Sequence, residues 1–253
     1  MQKKLTYSLI SLIIINIIFG CEPEIAKPPV KPAATITSTS VTDRYNKNTY
    51  KAVKIGNQYW FQGNLNAEIY TVLKKIETNL YIDSIRHYKP NSYSIVNINT
   101  STTDTLAVQW PFNGYDSLTK KYGRMYTWYA ASDARNICPA GWHVPNEVEW
   151  DKMIAVLGGD SLAGGKMKDT STIEWNYPNL TEVNPYNLNV KSTGYRSEFG
   201  SYVNQGKFTF FWSSTSDPDD KDYGIAYAVY AHTKKIYKQP KSKRIAMSIR
   251  CVR

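Results

Sequence analysis

Pro145-Asn146-Glu147-Val148-Glu149-Trp150-Asp151-Lys152-Met153-Ile154-Ala155-Val156-Leu157-Gly158 is the stretch on which the fold turns. Asn146 has the short polar side chain of an N-cap, and Glu149 stands three positions on, where a capping box needs its acidic partner. Trp150, Met153, Ile154 and Leu157 recur at helical spacing and make one apolar stripe. Gly158-Gly159 supplies a C-terminal stop. The spacing predicts a short amphipathic helix laid on a core, and a second short helix is expected near Tyr126 to Ala134.

The flanks of this helix read mainly as strands. Tyr50 to Ile55 and Gln58 to Phe61 surround Gly56-Asn57, a two-residue hairpin turn between β-prone runs. Tyr223, Ile225, Tyr227 and Val229 alternate with their neighbours. Ile245, Met247, Ile249 and Cys251 alternate with Arg244, Ser248 and Arg250. Both segments are expected to be half-buried strands. Ala67 to Gln109 carries short Ile, Val, Tyr and Thr runs without a sharp motif and reads as irregular or β. The pattern is that of an α+β domain on antiparallel sheet with long loops.

Residues 1–20 stand apart. Lys3 and Lys4 precede an apolar run from Leu9 to Phe19. That run has the length of a secretory leader and is short for a membrane span. Ile18-Phe19-Gly20-Cys21 resembles a lipobox, which makes Cys21 the expected lipidation site. Two or three acyl chains on that cysteine hold a protein on a bilayer, whereas one does so only marginally. Residues 21–44, rich in Pro, Ala, Thr and Ser, read as a flexible tether. Residues 45–253 are then the folded domain, with 67–109 as a variable segment.

With Cys21 lipidated, Cys138 and Cys251 remain. In an oxidising compartment such a pair is most simply a disulfide. The alternative, free thiols in redox or metal chemistry, lacks a CxxC spacing or neighbouring ligands. Composition adds 20 Tyr, 7 Trp and a net charge of +10. Aromatic abundance suits carbohydrate or protein binding as well as an ordinary core. From Tyr223 to Arg253 there is no acidic residue, while Lys234, Lys235, Lys238, Lys241, Lys243, Arg244, Arg250 and Arg253 are basic. Such a field attracts polyanions. For an exported protein these are anionic glycan, lipid headgroups or an acidic partner, and no nucleic acid is expected. A solvated strand face is the plainer reading.

Three blocks carry a resemblance. The first is Ile55-Gly56-Asn57-Gln58-Tyr59-Trp60 with Asn64-Leu65-Asn66. The second is Tyr122-Gly123-Arg124-Met125-Tyr126-Thr127-Trp128, continuing through Cys138-Pro139-Ala140-Gly141-Trp142-His143-Val144-Pro145 to Glu149-Trp150. The third runs from Gly194-Tyr195-Arg196 through Phe211-Trp212-Ser213-Ser214-Thr215 to Ser248-Ile249-Arg250-Cys251-Val252-Arg253. In order and spacing they resemble the Fibrobacter succinogenes major paralogous domain over nearly everything after residue 50. The family is found in exported proteins and lipoproteins of Bacteroidetes and Fibrobacteres, so the resemblance implies a cell-envelope setting. Glu22-Pro23-Glu24 after the lipobox resembles surface-export signals of such bacteria, which makes a surface-exposed outer-membrane lipoprotein the expectation and a periplasm-facing one the alternative. The Gly141-Trp142-His143-Val144-Pro145 helix entry and the terminal Arg250-Cys251-Val252-Arg253 also look like the C-type-lectin-like and formylglycine-generating-enzyme superfold, implying two short helices packed on small twisted antiparallel sheets. Fold of itself does not assign function.

No catalytic constellation emerges. His143, His87 and His232 lack metal-ligand spacing to one another. Ser213, Ser214 and Thr215 read as hydroxyls that satisfy buried backbone. Asp217, Asp219, Asp220 and Asp222 form an oxygen-rich loop without an EF-hand Gly and distal Glu. It also lacks the Glu-Pro-Asn or Gln-Pro-Asp triplet of calcium-dependent lectins. The superfold's oxidase branch uses two active cysteines with copper. Here both cysteines are assigned to the bridge, so no metal or other cofactor is expected. The function expected is a non-catalytic binding or adhesion module for glycan or a cell-surface protein. Its candidate contacts are Trp175, Tyr195, Phe210 and the loop aspartates. A structural lipoprotein docking through the basic C-terminal hairpin is the alternative, and an enzyme is disfavoured by the residue inventory.

Overall fold

The computed structural model describes residues 38–44, 46–68, 106–171, 173–203 and 205–253. Cys21, residues 1–37 and most of segment 67–109 lie outside the described residues. In chain order the elements are β1 (Ser38–Thr42), β2 (Thr49–Ile55), β3 (Gln58–Phe61), β4 (Gln109–Pro111), α1 (Asp116–Tyr122), β5 (Arg124–Thr127), α2 (Trp128–Ala131), α3 (Glu147–Val156), α4 (Asp160–Met167), β6 (Tyr195–Arg196), β7 (Tyr202–Val203), β8 (Phe208–Ser216), β9 (Tyr223–Tyr230), β10 (Ile236–Ser242) and β11 (Ala246–Met247). The domain is α+β, with short helices and three antiparallel sheets ordered β1-β2-β3, β10-β9-β8 and β4-β5-β11-β6-β7.

The hairpin β2–β3 forms as its turn residues require, with Ile55 opposite Gln58. Gly56 takes φ +60°, and a Cβ there would stand 3.0 Å from Val156 Cγ2, so the turn tip lies against the end of α3. β1 extends this sheet on the far side of β2. Residues 38–42, read from sequence as tether, are therefore an edge strand. Ser-Thr-Ser-Val-Thr is too polar to announce one, because an edge strand needs few buried side chains.

The helix α3 carries the full capping box. Asn146 Oδ1 accepts from Glu149 N at 3.0 Å, and Glu149 Oε2 accepts from Asn146 N at 2.9 Å. Its Trp150, Met153 and Ile154 are buried, as the stripe demands. The second expected helix shrinks to α2, because Tyr126 and Thr127 belong to β5. Two further helices, α1 and α4, break the expectation of a pair. α4 starts after the Gly158-Gly159 stop and contains Gly164-Gly165. A Cβ on Gly164 would fall 2.6 Å from Lys235 O, so the helix is glycine-bearing where the β9–β10 turn crosses it.

Both strands read as half-buried are covered on two faces. β9 lies between β8 and β10. Its Ala226 and Ala228 enter one core cluster, while Ile225, Tyr227 and Val229 enter another. The C-terminal segment is likewise interior. Phe61 N donates to Cys251 O at 3.0 Å on one side, and His143 N donates to Val252 O at 3.0 Å on the other. Ser248 and Arg250, expected to face solvent, are 0% and 2% exposed. Cys138 and Cys251 are joined as a disulfide with a Cα–Cα distance of 6.0 Å. Among the described residues no helix is long and apolar enough to cross a membrane.

Lys168, at the end of α4, is fully buried and closes the β9–β10 turn. Its Nζ donates to Tyr230 O, Ala231 O and Thr233 O at 2.8, 3.0 and 2.9 Å. Burial pushes its ammonium down from 10.5 to about 8. Between those values the unfolded chain binds more protons at this site than the folded one, so its contribution to stability rises with pH. It is complete above 10.5 and lost as pH falls through 8. Urea unfolding at pH 8, 9 and 10 should show wild type gaining stability relative to Lys168→Met across the series. A constant difference would contradict the shift.

Candidate functional site

Two clusters of family-block and expected-site residues come together, one closed and one open. The closed one gathers Asn64, Thr193, Thr209, Ser248 and Arg250. Arg250 Nη1 donates to Leu188 O at 2.7 Å and Phe61 O at 3.3 Å, and its Nε donates to Asn64 Oδ1 at 3.2 Å. Asn64 Nδ2 in turn donates to Tyr122 O at 2.9 Å and Ser248 Oγ at 3.2 Å. Thr193 Oγ1 shares hydrogen bonds with Thr209 Oγ1 at 2.6 Å and Ser248 Oγ at 3.1 Å. Thr193, Thr209, Ser248 and Arg250 are all buried. Burial lowers the Arg250 guanidinium below the usual arginine range, and carbonyl acceptors stand in for a counter-ion. This knot ties distant segments of chain.

The hydroxyl run after Trp212 is structural in the same sense. Trp212 Nε1 donates to Tyr126 O at 2.8 Å, Ser213 Oγ accepts from Thr215 N at 3.2 Å, and Thr215 Oγ1 accepts from Glu147 N at 2.9 Å, satisfying an orphan donor of α3. His143 is exposed, and its Nε2 lies 2.7 Å from Glu149 Oε1, the capping-box carboxylate. The imidazole is thus attached to the helix start.

The decisive match follows from these blocks. A family model, the Fibrobacter succinogenes major domain, matches residues 53–253. The chain belongs to this family. Comparisons with curated proteins and with solved structures return no match.

In this Fibrobacter succinogenes major domain the open cluster is a set of rings on one face of the β10-β9-β8 sheet. The register sets Phe208 opposite Tyr230, and it sets Phe210 and Tyr237 on either side of Ala228. Alternation then puts these rings on one face. Ring centroids lie 5.1 Å apart for Phe208–Phe210, 5.5 Å for Phe208–Tyr230 and 5.4 Å for Tyr230–Tyr237. Tyr195, from β6, stacks on Phe208 at 6.0 Å. Tyr195, Phe208, Tyr230 and Tyr237 are half-buried at the margin of the core. Beside them Tyr230, His232, Tyr237, Lys238 and Gln239 line a shallow depression of about 230 Å³.

The expected contacts divide accordingly. Tyr195 belongs to the platform. Phe210 lies beneath it and is only 3% exposed. Trp175 is also 3% exposed and packs in the other core, with its Nε1 donating to Val190 O at 2.9 Å. It reads as a loop aromatic because its covering segments are distant in sequence. Neither Trp175 nor Phe210 presents a ring face to a ligand, which corrects both expectations.

The aspartate loop is a turn organised around a lysine. Asp217 Oδ1 accepts from Asp219 N at 3.1 Å and Asp220 Oδ1 from Asp222 N at 2.9 Å. Lys243 Nζ donates to Lys221 O and Ser216 Oγ and lies 4.0 Å from the Trp128 ring centroid. Burial lowers that ammonium, and Asp222, Asp220 and Asp217 oppose the shift. Among the described residues no group of three His, Cys, Asp or Glu is placed to hold a metal ion.

Two charges of the basic hairpin are neutralised from within. Lys234 pairs with Glu182, and Lys238 pairs with Glu147 and stands 3.6 Å from Asp151. Docking through these charges therefore requires breaking internal ion pairs. Tyr230, Tyr237 and His232 were absent from the candidates read from sequence. Their only linear signal is alternation, and the cross-strand register supplies the rest.

Proposed function

We propose that this protein is an exported, lipid-anchored lipoprotein of the cell envelope, attached to the outer membrane through Cys21 and facing outward. Its Fibrobacter succinogenes major domain acts as a non-catalytic binding or adhesion module on a C-type-lectin-like arrangement. The ligand is a glycan or a protein, and glycan is favoured. The observation that carries this reading is the half-exposed ring platform of Tyr195, Phe208, Tyr230 and Tyr237 beside an open depression. Aromatic rings supply rigid, amphipathic contact area at low entropic cost, which is what stacking on a sugar ring needs. The polar residues that an enzyme reading would recruit are engaged in the buried knot or the helix cap.

A glycan array probed with the oxidised, detergent-solubilised chain tests this. Selective binding is expected, weakened about tenfold by Tyr230→Ala or Tyr237→Ala, the equivalent of about 1.4 kcal/mol for one stacked ring. Trp175 is not a surface residue, so its conservative variant Trp175→Phe should leave affinity unchanged in protein that folds. A flat array from folded, disulfide-bonded protein would count against glycan recognition.

A further inference from the structure

We propose that the platform takes an acidic polysaccharide, with a ring of the sugar chain stacked on Tyr230 and Tyr237 and carboxylates of the chain met separately by Lys241 on the Phe210 side and by Lys235 beside Tyr237. The proposal rests on the binding-module reading and narrows it to one class of ligand. Lys241 is half-buried on the same face as the rings, with its Nζ 4.9 Å from the Phe210 centroid. Lys235 Nζ lies 5.0 Å from the Tyr237 centroid.

These two lysines differ from the rest of the hairpin. Lys234 and Lys238 have carboxylate partners, and Lys243 is held by Ser216, Lys221 and Trp128. For Lys241 and Lys235 no carboxylate partner occurs among the described residues, and the chain from Tyr223 to Arg253 contains no acidic residue at all. Burial lowers the Lys241 ammonium, with no nearby charge to restore it. A partly desolvated cation whose only described partner is a ring face gains from an incoming anion, since the desolvation cost has already been met in folding.

The arrangement also discriminates among anions. A nucleic acid presents a phosphate at every residue and is held by a continuous basic track. Here three of the five hairpin lysines are neutralised or enclosed, leaving two ammonium groups beside two rings. Local charge next to a flat apolar surface matches a uronic acid, whose ring has an apolar C–H face and a single carboxylate. The depression is open and lined by Gln239 and Lys238 as well as the rings, which suits one sugar of a longer chain more than an enclosed small molecule.

The test uses the full oxidised chain in detergent and three uronate polymers, polygalacturonate, alginate and hyaluronan. Each is compared with its carboxyl-reduced form, and single-stranded DNA serves as a polyanion without sugar acid. At least one uronate polymer should bind, and carboxyl reduction should weaken it about tenfold or more. Lys241→Ala should do the same, Lys241→Arg should retain binding, and Lys234→Ala should leave it within twofold. Near-ultraviolet circular dichroism confirms that each variant is folded. Equal binding of the carboxyl-reduced polymer, still lost on Tyr230→Ala, overturns the acidic class and leaves the binding module standing. DNA bound as tightly as the best uronate overturns it in favour of charge alone. If neither these polymers nor a neutral glycan panel binds, both readings fail together.

Discussion

Removing the Cys138–Cys251 bridge lowers the stability of the domain by about 4–5 kcal/mol, the loop-closure entropy returned to an unfolded chain when a loop of more than a hundred residues is opened. The two cysteines are 113 positions apart and both are 0% exposed. For a domain near 200 residues that loss corresponds to a fall of about 10–20 °C in the unfolding midpoint. Thermal unfolding of the Cys138→Ser, Cys251→Ser double variant against oxidised wild type measures it. A fall of less than about 5 °C would mean that the unfolded chain is already restricted over this loop. The position of the bridge adds a local expectation. It joins the segment before α3 to the C-terminal segment, which is hydrogen-bonded to β3 on one side and to His143 on the other. Amide exchange in the double variant should therefore accelerate first at Trp142 to Val144 and at Arg250 to Arg253.

Trp150→Ala destabilises the domain by about 3–5 kcal/mol, the range for deleting a large aromatic side chain from a core. Trp150 is 0% exposed, and three rings surround it: Tyr227 at 4.7 Å, Trp60 at 4.9 Å and Phe211 at 5.7 Å. Those rings come from β9, β3 and β8, so one side chain on α3 holds two sheets to the helix. The hole left by alanine cannot close without moving strands that are themselves paired. Trp150→Phe should cost less, about 1–2 kcal/mol, because most of the apolar volume stays. Nor is a hydrogen bond to a described residue lost, since the indole N–H has no partner among the described residues. Chemical denaturation of both variants checks the order, and equal losses would show that the exact ring size matters more than the cavity.

Local physics made part of this molecule legible in its amino acids. The Gly56-Asn57 turn, the Asn146–Glu149 capping box with its apolar stripe and the pairing of Cys138 with Cys251 each depend on a few residue types at short spacing or on simple counting. Each appears in the structure where the residues place it. Of the Ser213, Ser214 and Thr215 hydroxyls, those of Ser213 and Thr215 accept from backbone N–H groups, as the reading expects. The family blocks extend this legibility to domain scale, over residues 53–253.

The tertiary structure alone decided the remainder, because burial of a strand's second face is set by segments far away in the chain. Alternation along Ile245 to Cys251 implies one wet face, yet β3 and the His143 segment enclose Ser248 and Arg250. Gly164-Gly165 lies inside α4 where the β9–β10 turn crosses it at backbone distance, a contact between segments some seventy residues apart. Trp175 and Phe210 read as aromatics of binding loops, and distant packing turns both inward. The ring platform is the clearest case. Tyr195, Phe208, Tyr230 and Tyr237 come from four strands; cross-strand register brings the last three together, and β6 of another sheet adds Tyr195. The amino-acid sequence by itself determined the turns, the cap, the bridge and the family. Which rings face solvent, and which lysines lack a carboxylate, was left to the packing of one sheet against another.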